Sequence, residues 1–353
     1  VLVGQASEKT LWLMGIFWAA PILLDVIKKN SLMNVLVVVI CILLFQSQWG
    51  VTQFVLQEDL GMNILGESKL SADEVGVAKF SMGKIFNDGE GGSRKIVRAY
   101  GPFNHPNSMG GVLTIGFLLS CMASLYFGGS NGCDNRGLPL FINVAEPVIL
   151  LGAVLTFSRA AYLANVLGGL IFLLVVFSNK LLGGGRRLRN KDVFYKMLIL
   201  SLIVVSLSPL VFYRFIDSED VALPERQAGW RWAVGIIKEN GLWLGSGIGQ
   251  YSVALKDYLD RKGVVYESWQ IDYVHNIPLL IVVEWGAVMG FVLALGCGVL
   301  VFKRYGRVWW WLIPLIPLLV LDHYFLTQLY PLVVLSLYLV VLGYWPGRKK
   351  RFS

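Results

Sequence analysis

Three histidines occur in the 353 residues, and one of them, His275, stands beside Asn276 at the start of the apolar stretch VHNIPLLIVVEWG. Histidine is the side chain most often used for general acid–base catalysis, because its imidazole can accept and donate a proton near neutral pH. A histidine at the end of an apolar helix can also be an ordinary interfacial residue. Two interpretations of His275 therefore stay open: a catalytic base and an interfacial residue without a chemical role. Asn276 is a candidate for orienting the imidazole or a substrate hydroxyl.

Arginines form the second group that could do chemistry, since a guanidinium pairs with phosphate oxygens through two parallel hydrogen bonds. Arg226 and Trp230 are four residues apart and share a helix face, and Arg231 follows directly. Arg159 stands between two apolar runs, and Arg98 precedes another. The alternatives are a solvated loop helix around Arg226 and snorkelling of Arg159 towards lipid headgroups.

A third group comprises Asp322 and His323, which are adjacent in the chain. An aspartate can hold an imidazole in one tautomer, but adjacent residues rarely face each other in a helix. We keep the pair as site candidates, with His323 as a possible substrate-binding residue. His105 and Asn107 could line a site or could cap the helix that follows them.

The spacing of the glycines and the absence of nucleotide-binding and metal-binding motifs limit the kinds of site that the sequence predicts. Gly286 follows His275 by eleven residues and lies on nearly the same helix face. With Gly290 it forms a G-x-x-x-G pair, which predicts close packing of another helix. The glycines of GLWLGSGIGQY favour a tight turn over a phosphate cradle, since neither nucleotide fingerprint is present. The histidines are far apart and the four cysteines lack zinc-type spacing, so we predict no metal and no cofactor.

The elements that must position these residues are membrane helices. The chain is 56% hydrophobic and only 15% charged, with a mean hydropathy of +0.62, whereas soluble domains carry about 25% charged residues. We therefore predict an all-α, polytopic transmembrane bundle forming a single membrane domain over 1–353. The apolar runs predict about nine spans, at 11–27, 33–49, 107–127, 139–157, 159–178, 197–212, 275–302, 308–322 and 329–345.

Charge sets the predicted orientation. The net charge of +8 is concentrated in short basic loops, such as 179–196, which is typical of cytoplasmic loops rather than of a nucleic-acid-binding surface. The long segments 47–106 and 213–274 then face outward, the second with helical character at 225–239. The N-terminus also lies outside, an arrangement that fits a chain lacking an odd number of earlier spans.

The order of these motifs resembles the O-antigen ligase/polymerase superfamily. The segments that carry the resemblance, from about Arg98 to Gly290, are RAYGPFNHPN, FSRAAYLA, ERQAGWRWAVGIIKENGLWLGSGIGQY and VHNIPLLIVVEWG, with DHYFLTQ as a tail element. The most specific elements are His275 and Asn276 with Gly286, and Arg226 with Trp230. The chain looks like a member without its first spans.

The resemblance implies a metal-independent, inverting glycosyltransferase of the bacterial inner membrane, acting at the periplasmic or outer face. Its donor would be a glycan on undecaprenyl diphosphate. The acceptor would be lipid A-core in a ligase of lipopolysaccharide biosynthesis, another glycan in a polysaccharide polymerase, or a protein hydroxyl in a protein O-oligosaccharyltransferase. His275 matches the catalytic histidine of the family, and Arg226 and Arg159 match the arginines placed at the diphosphate. Arg231, Arg98, Trp230, Asn276 and His323 remain candidates for substrate binding.

A function of another class is a transporter for a small anion, since arginines at membrane depth and glycine-rich helices also suit an anion pathway. Transport would not require two long outer loops, so the sequence favours the transferase.

Overall fold

The computed structural model describes residues 32–74, 76–81, 95–127, 137–181, 198, 202–203, 208–209, 211–212, 222–240, 242–267, 270–300, 303 and 306–343. These residues are mostly helical, which confirms the predicted helical fold class. The chain divides into two compact units. The described residues of the first unit lie between 32 and 212, and those of the second unit lie between 222 and 343.

Four long helices make up most of the described part of the first unit: α1 (Leu32–Leu56), α2 (Pro106–Phe127), α3 (Gly137–Leu155) and α4 (Arg159–Leu181). Helix α2 packs against the other three. The apolar window of α2 is 94% buried, whereas those of α1 and α4 are 39% and 50% buried. Helix α2 is therefore the centre of this bundle, and α1 and α4 expose apolar outer faces, as expected of helices that contact lipid.

Small residues allow close approach within this bundle. A Cβ atom at Gly152 of α3 would overlap Ser47 Oγ of α1. That hydroxyl donates a hydrogen bond of 2.6 Å to the carbonyl oxygen of Val148. The contact satisfies a polar group in an apolar interior, where an unpaired one would be costly.

The segment that follows α1 is more ordered than the predicted loop over 47–106. Helix α1 continues to Leu56, because the residues after the predicted end at 49 remain largely apolar. Buried Glu67 then accepts hydrogen bonds from Trp49 Nε1 (2.8 Å), Gln53 Nε2 (2.6 Å) and the backbone N–H of Met62 (2.6 Å). These bonds tie the loop back onto the end of α1.

Two short strands complete the described part of this loop. Strand β1 (Lys79–Ser81) pairs antiparallel with β2 (Lys95–Val97), with Phe80 opposite Ile96. The prediction of an all-α chain did not include this pair. Antiparallel pairing satisfies the backbone groups of an extended segment outside the helical bundle.

The second unit contains, in its described part, α5 (Ala222–Asn240), α6 (Tyr251–Arg261), α7 (Ile277–Leu300), α8 (Leu315–Val320), α9 (Tyr324–Thr327) and α10 (Leu329–Gly343). The predicted helix at 225–239 is confirmed as α5, but α6 was not predicted. Helix α6 buries Tyr251, Leu255 and Leu259, which recur every four residues and form one face. This face packs with residues of α5 and α7 into a common apolar core.

Four described helices are long and apolar enough to cross a membrane: Asn34–Leu56, Pro106–Leu125, Arg159–Ser178 and Ile277–Gly296. Three shorter apolar helices lie at Leu140–Leu155, Val308–Val320 and Leu329–Gly343. The predicted span at 11–27 falls outside the described residues, as does most of the one at 197–212 and all but the first residues of the basic loop at 179–196. The count of nine spans therefore stays a prediction.

Candidate active site

His275 lies two residues before the start of α7, which Asn276 caps. The Asn276 side-chain oxygen accepts a 2.8 Å hydrogen bond from the backbone N–H of Leu279, and its carbonyl oxygen accepts one of 2.9 Å from Leu280. Asparagine is among the preferred residues at this position, because its oxygen satisfies an N–H that has no partner within the helix. The cap fixes the backbone beside His275, and the side-chain oxygen that the sequence made a candidate for substrate contact is engaged in the cap.

The imidazole of His275 is paired with Asp322. His275 Nδ1 lies 3.1 Å from Asp322 Oδ1, and the same oxygen accepts a 3.0 Å hydrogen bond from the backbone N–H of His323. Asp322 follows the end of α8 and precedes α9, and its side chain is only 3% exposed. The His275 side chain is 28% exposed. One edge of the imidazole is therefore held by a buried carboxylate, while part of the ring remains accessible.

A third charged group completes this cluster. Arg226 of α5 places Nη2 3.6 Å from Asp322 Oδ2. Trp230, one turn later on α5, donates from Nε1 to the carbonyl oxygen of His275 at 3.4 Å. The predicted pair of Arg226 and Trp230 thus reaches Asp322 and His275, whereas Arg231 is exposed. We call His275, Asp322 and Arg226 the histidine–carboxylate–arginine cluster.

Electrostatics in the cluster keep Asp322 ionised. Burial by itself would raise the pKa of this carboxyl group. The hydrogen bond from His275 and the positive charge of Arg226 outweigh burial and hold the pKa of Asp322 well below its ordinary value. An ionised carboxylate only accepts hydrogen bonds, so His275 must donate through Nδ1–H. The tautomer of a neutral His275 then presents its lone pair at Nε2.

His323, the other histidine of this unit, lies against the ring of His275. The centroids of these two rings are 4.8 Å apart, and the ring of Tyr273 packs against His323 with a centroid distance of 5.6 Å. His323 Nδ1 lies 2.7 Å from Thr327 Oγ1, and its Nε2 lies 3.8 Å from an oxygen of Asp272. Asp272, His275 and His323 each offer one ligand atom within 4.8 Å of the others. The sequence predicted no metal site, so this grouping comes from the fold.

Gly286 interrupts α7, and its role differs from the predicted helix packing. Its φ of 79° and ψ of 165° are not helical, and a Cβ atom there would overlap the carbonyl oxygen of Trp243. Among the residues that the structure describes, the backbone that approaches Gly286 thus belongs to the loop before α6. At Gly290, by contrast, a Cβ atom would meet only side chains of α7 itself, at 3.5 Å or more.

The same loop satisfies the backbone groups that the break releases. Ser246 N–H donates to the carbonyl oxygen of Val283 at 2.7 Å, and Gly247 N–H donates to that of Glu284 at 2.9 Å. Ala287 N–H donates to the carbonyl oxygen of Leu242 at 2.8 Å. Such pairing is required wherever a helix breaks in an apolar environment. The loop from GLWLGSGIGQY is therefore a tight turn, as predicted, and it anchors the helix that carries His275 at its start.

Two predicted site residues belong to the first unit. Arg159 is the first residue of α4, after a turn in which Phe157 has a φ of 50°. Arg98 is buried and donates from Nε to the Thr156 carbonyl oxygen and from Nη2 to Asn107 Oδ1, both at 2.6 Å. These contacts make Arg98 a brace for the turn that leads into Arg159.

Sequence reasoning paired Asp322 with the wrong histidine. The two residues were candidates because they are adjacent, but the carboxylate of Asp322 holds His275, and His323 turns towards Thr327 and Asp272. Asp272 and Thr327 were not considered. No spacing signal links 226, 275 and 322, because three different elements bring these residues together.

The described residues define a class of protein: a helical membrane protein that carries a histidine–carboxylate–arginine cluster at the end of one apolar helix. The family model described as O-Antigen ligase matches residues 148–295, which confirms the resemblance to the O-antigen ligase superfamily. The match includes Arg159, Arg226 and His275, and it ends before Asp322. No curated protein and no solved structure matches the chain. The family match supports an O-antigen ligase-type function in general and a multi-pass protein of the bacterial inner membrane.

Proposed function

We propose that this protein transfers a glycan from undecaprenyl diphosphate to an acceptor hydroxyl at the outer face of the bacterial inner membrane. The observation that carries the proposal is the 3.1 Å pairing of His275 Nδ1 with buried Asp322 beside Arg226. His275 lies at the start of an apolar helix, most of which the O-antigen ligase match covers. A positioned base and a cation are the two groups that such a transfer needs.

His275 acts as the general base. Its Nε2 lone pair takes the proton of the acceptor hydroxyl as the oxygen attacks the anomeric carbon of the donor sugar. Asp322 holds the ring in the correct tautomer and stabilises the imidazolium that forms, in the manner of a catalytic triad. The bond between the anomeric carbon and the diphosphate oxygen breaks, and the diphosphate leaves with the electron pair. Attack opposite the leaving group inverts the anomeric carbon.

Arg226 stabilises the charge that develops on the leaving diphosphate. At 3.6 Å, its contact with Asp322 is an ion pair rather than a short hydrogen bond. A guanidinium has five N–H donors in a planar fork, so one edge can face Asp322 while another pairs with phosphate oxygens. The family resemblance also assigns Arg159 to the diphosphate, and that assignment stays a prediction.

The energy for transfer is already stored in the bond between sugar and diphosphate, so the reaction needs no ATP, and the family resemblance implies that it needs no metal. The proposed outward orientation of the site rests on the positive-inside rule, which predicts that the basic loops are cytoplasmic. The diphosphate of a lipid-linked donor sits at headgroup level, which is also the level of a residue at the end of a membrane-spanning helix. In this arrangement the donor reaches the cluster without leaving the bilayer.

Transfer by the purified protein tests the proposal. The donor is an undecaprenyl-diphosphate glycan, and lipid A-core, a second lipid-linked glycan and a hydroxyl-bearing protein are offered separately as acceptors. We expect a glycan product with one acceptor, and its identity distinguishes a ligase, a polymerase and a protein O-oligosaccharyltransferase. The proposal favours lipid A-core. A folded wild-type protein that modifies none of the three acceptors would contradict the proposal.

His275→Gln tests the role of the base. We expect it to abolish transfer while the protein elutes as a folded species. The matched control is His105→Asn. His105 Nδ1 accepts a 3.1 Å hydrogen bond from the backbone N–H of Asn107 at the start of α2, and asparagine keeps such an acceptor. Transfer at the wild-type rate by His275→Gln would remove this residue from the mechanism.

A further inference from the structure

We propose that Asp272, His275 and His323 form a binding site for a zinc-like divalent cation, and that an ion bound there inhibits the protein by occupying Nε2 of His275. The binding site stands on geometry alone. The inhibition rests on the proposed function, because it requires His275 to act as the base. The three residues offer imidazole nitrogens and a carboxylate oxygen, which are the ligands that zinc prefers in open, three-residue sites.

The spacing of the three residues suits one ion. One ligand atom of each lies within 4.8 Å of the others, and the two imidazole rings are 4.8 Å apart at their centroids. Two ligands at about 2.1 Å from a tetrahedral ion are about 3.4 Å apart. His323 Nε2 and the Asp272 oxygen are already 3.8 Å apart. Each pair of ligand atoms therefore needs to close by about 1.4 Å or less to share one ion.

The tautomer of His275 favours a metal. Its Nδ1–H donates to Asp322 at 3.1 Å, so the lone pair of a neutral ring is at Nε2. Histidine ligands in metal sites nearly always donate their other ring N–H to a carboxylate or carbonyl group, which fixes the ring and makes it a stronger ligand. The pair that would orient a general base therefore also orients a metal ligand.

The hydroxyl of Thr327 lies 3.2 Å from the carbonyl oxygen of His323 and 2.7 Å from Nδ1 of the same residue. With the hydroxyl proton directed at the carbonyl oxygen, Nδ1–H of His323 donates to Thr327 Oγ1, and the lone pair of this ring is at Nε2. That lone pair faces the carboxylate of Asp272 at 3.8 Å. These two acceptor groups repel each other at this distance, whereas a cation between them would be attracted to both.

The site is open to an ion from solution. The side chain of Asp272 is 58% exposed and that of His275 is 28% exposed. Three protein ligands leave a fourth position for water, as in many zinc sites. Two imidazoles select zinc over magnesium, which prefers oxygen ligands. An ion held there takes the lone pair that would accept the proton of the acceptor hydroxyl.

Calorimetric titration of the purified full chain with zinc chloride and with magnesium chloride tests the binding. We expect one zinc ion per chain and no heat from magnesium. Asp272→Asn and His323→Gln should each weaken zinc binding by at least about 10-fold, since each removes a ligand. Thr327→Val should also weaken it about 10-fold, because it removes only the outer hydrogen bond that fixes His323. Asp257→Asn, an exposed aspartate on α6, is the matched control and should bind zinc like the wild type.

The competing explanation is a protonated His323 that forms an ion pair with Asp272 and needs no metal. In that case zinc gives no saturable heat, or Asp272→Asn and His323→Gln bind zinc as tightly as the wild type, and either result overturns the proposal.

Inhibition is measured separately in the transfer assay, with each variant normalised to its own rate in a chelator. Zinc should inhibit the wild type, a chelator should restore it, and Asp272→Asn should need at least about 10-fold more zinc. Bound zinc without inhibition would overturn the inhibitory role. Site-dependent zinc binding by a protein with no transferase activity would leave the metal site intact and refute the transferase instead.

Discussion

His275 Nδ1 lies 3.1 Å from Asp322 Oδ1, although 47 residues separate them in the chain. The carboxylate is buried and ionised, and the same group faces Arg226 at 3.6 Å. A buried charge must be paired to be tolerated, so His275 and Arg226 stabilise the charge of Asp322, and Asp322 in turn orients both side chains. Removing the charge of Asp322 should therefore disturb the whole site.

Asp322→Asn should lower kcat/KM for glycan transfer by about 100-fold or more, because the substitution keeps the size of the side chain but removes the charge that stabilises the imidazolium. KM for the donor should change little, since Asp322 is not proposed to contact it. Steady-state kinetics of the purified variant give both values. Asp257→Asn makes the same chemical change at an exposed position and should retain the wild-type rate. Unchanged kinetics in Asp322→Asn would refute its positioning role.

Arg226→Lys should lower kcat by about 10-fold or more, and Arg226→Ala should lower it further. Lysine keeps the charge but lacks the planar fork that can face Asp322 and a phosphate together. An interaction made in the transition state appears in kcat rather than only in KM.

The matched control for Arg226 is Arg261→Lys. Arg261 forms a solvent-exposed ion pair with Glu239 at 3.1 Å, and such pairs contribute little. We expect this variant to transfer glycan at the wild-type rate. If Arg226→Lys behaved like Arg261→Lys, a charge alone would suffice at position 226.

Gly286→Ala should destabilise the protein, whereas Gly290→Ala should not. A Cβ atom at Gly286 would overlap the Trp243 carbonyl oxygen, and a φ of 79° with a ψ of 165° costs a non-glycine residue about 1–3 kcal/mol before any clash. At Gly290 the nearest atom would be 3.5 Å away, an ordinary contact. Thermal unfolding in detergent, followed by size-exclusion chromatography, compares the two. Equal Tm values would show that the loop does not anchor α7 at Gly286.

Arg98→Ala should lower Tm by several degrees. Two hydrogen bonds from a buried guanidinium are lost, each contributing about 1.5–3 kcal/mol, and the carbonyl oxygen of Thr156 loses a donor. Lys95→Ala, at an exposed position in β2, is the control and should leave Tm unchanged. A loss of transfer with an unchanged Tm would instead favour the substrate-binding role that the sequence suggested for Arg98.

The apolar runs in the sequence were sufficient to locate the helices that are apolar along their whole length. The predicted spans at 107–127 and 159–178 closely match α2 and α4, because a run of about 20 apolar residues has few alternatives to a membrane helix. Helix α6 was missed, since its apolar face consists of only three residues within a polar loop. The break at Gly286 was also missed. Gly286 lies within a largely apolar run that resembles one continuous helix, and the approach of the Trp243–Leu244 backbone appears only in the folded structure.

The sequence by itself determined the class of protein, the positions of the main apolar helices and the candidates His275 and Arg226. Those properties depend on local composition and on short motifs, which a chain displays whatever its fold. Only the tertiary structure decided that Asp322 pairs with His275, and that Asp272 and Thr327 surround His323. These partners come from separate elements with no fixed spacing between them. Their contacts form where α5, α7 and the α8–α9 turn pack together, because a buried carboxylate there requires a positive charge and hydrogen-bond donors.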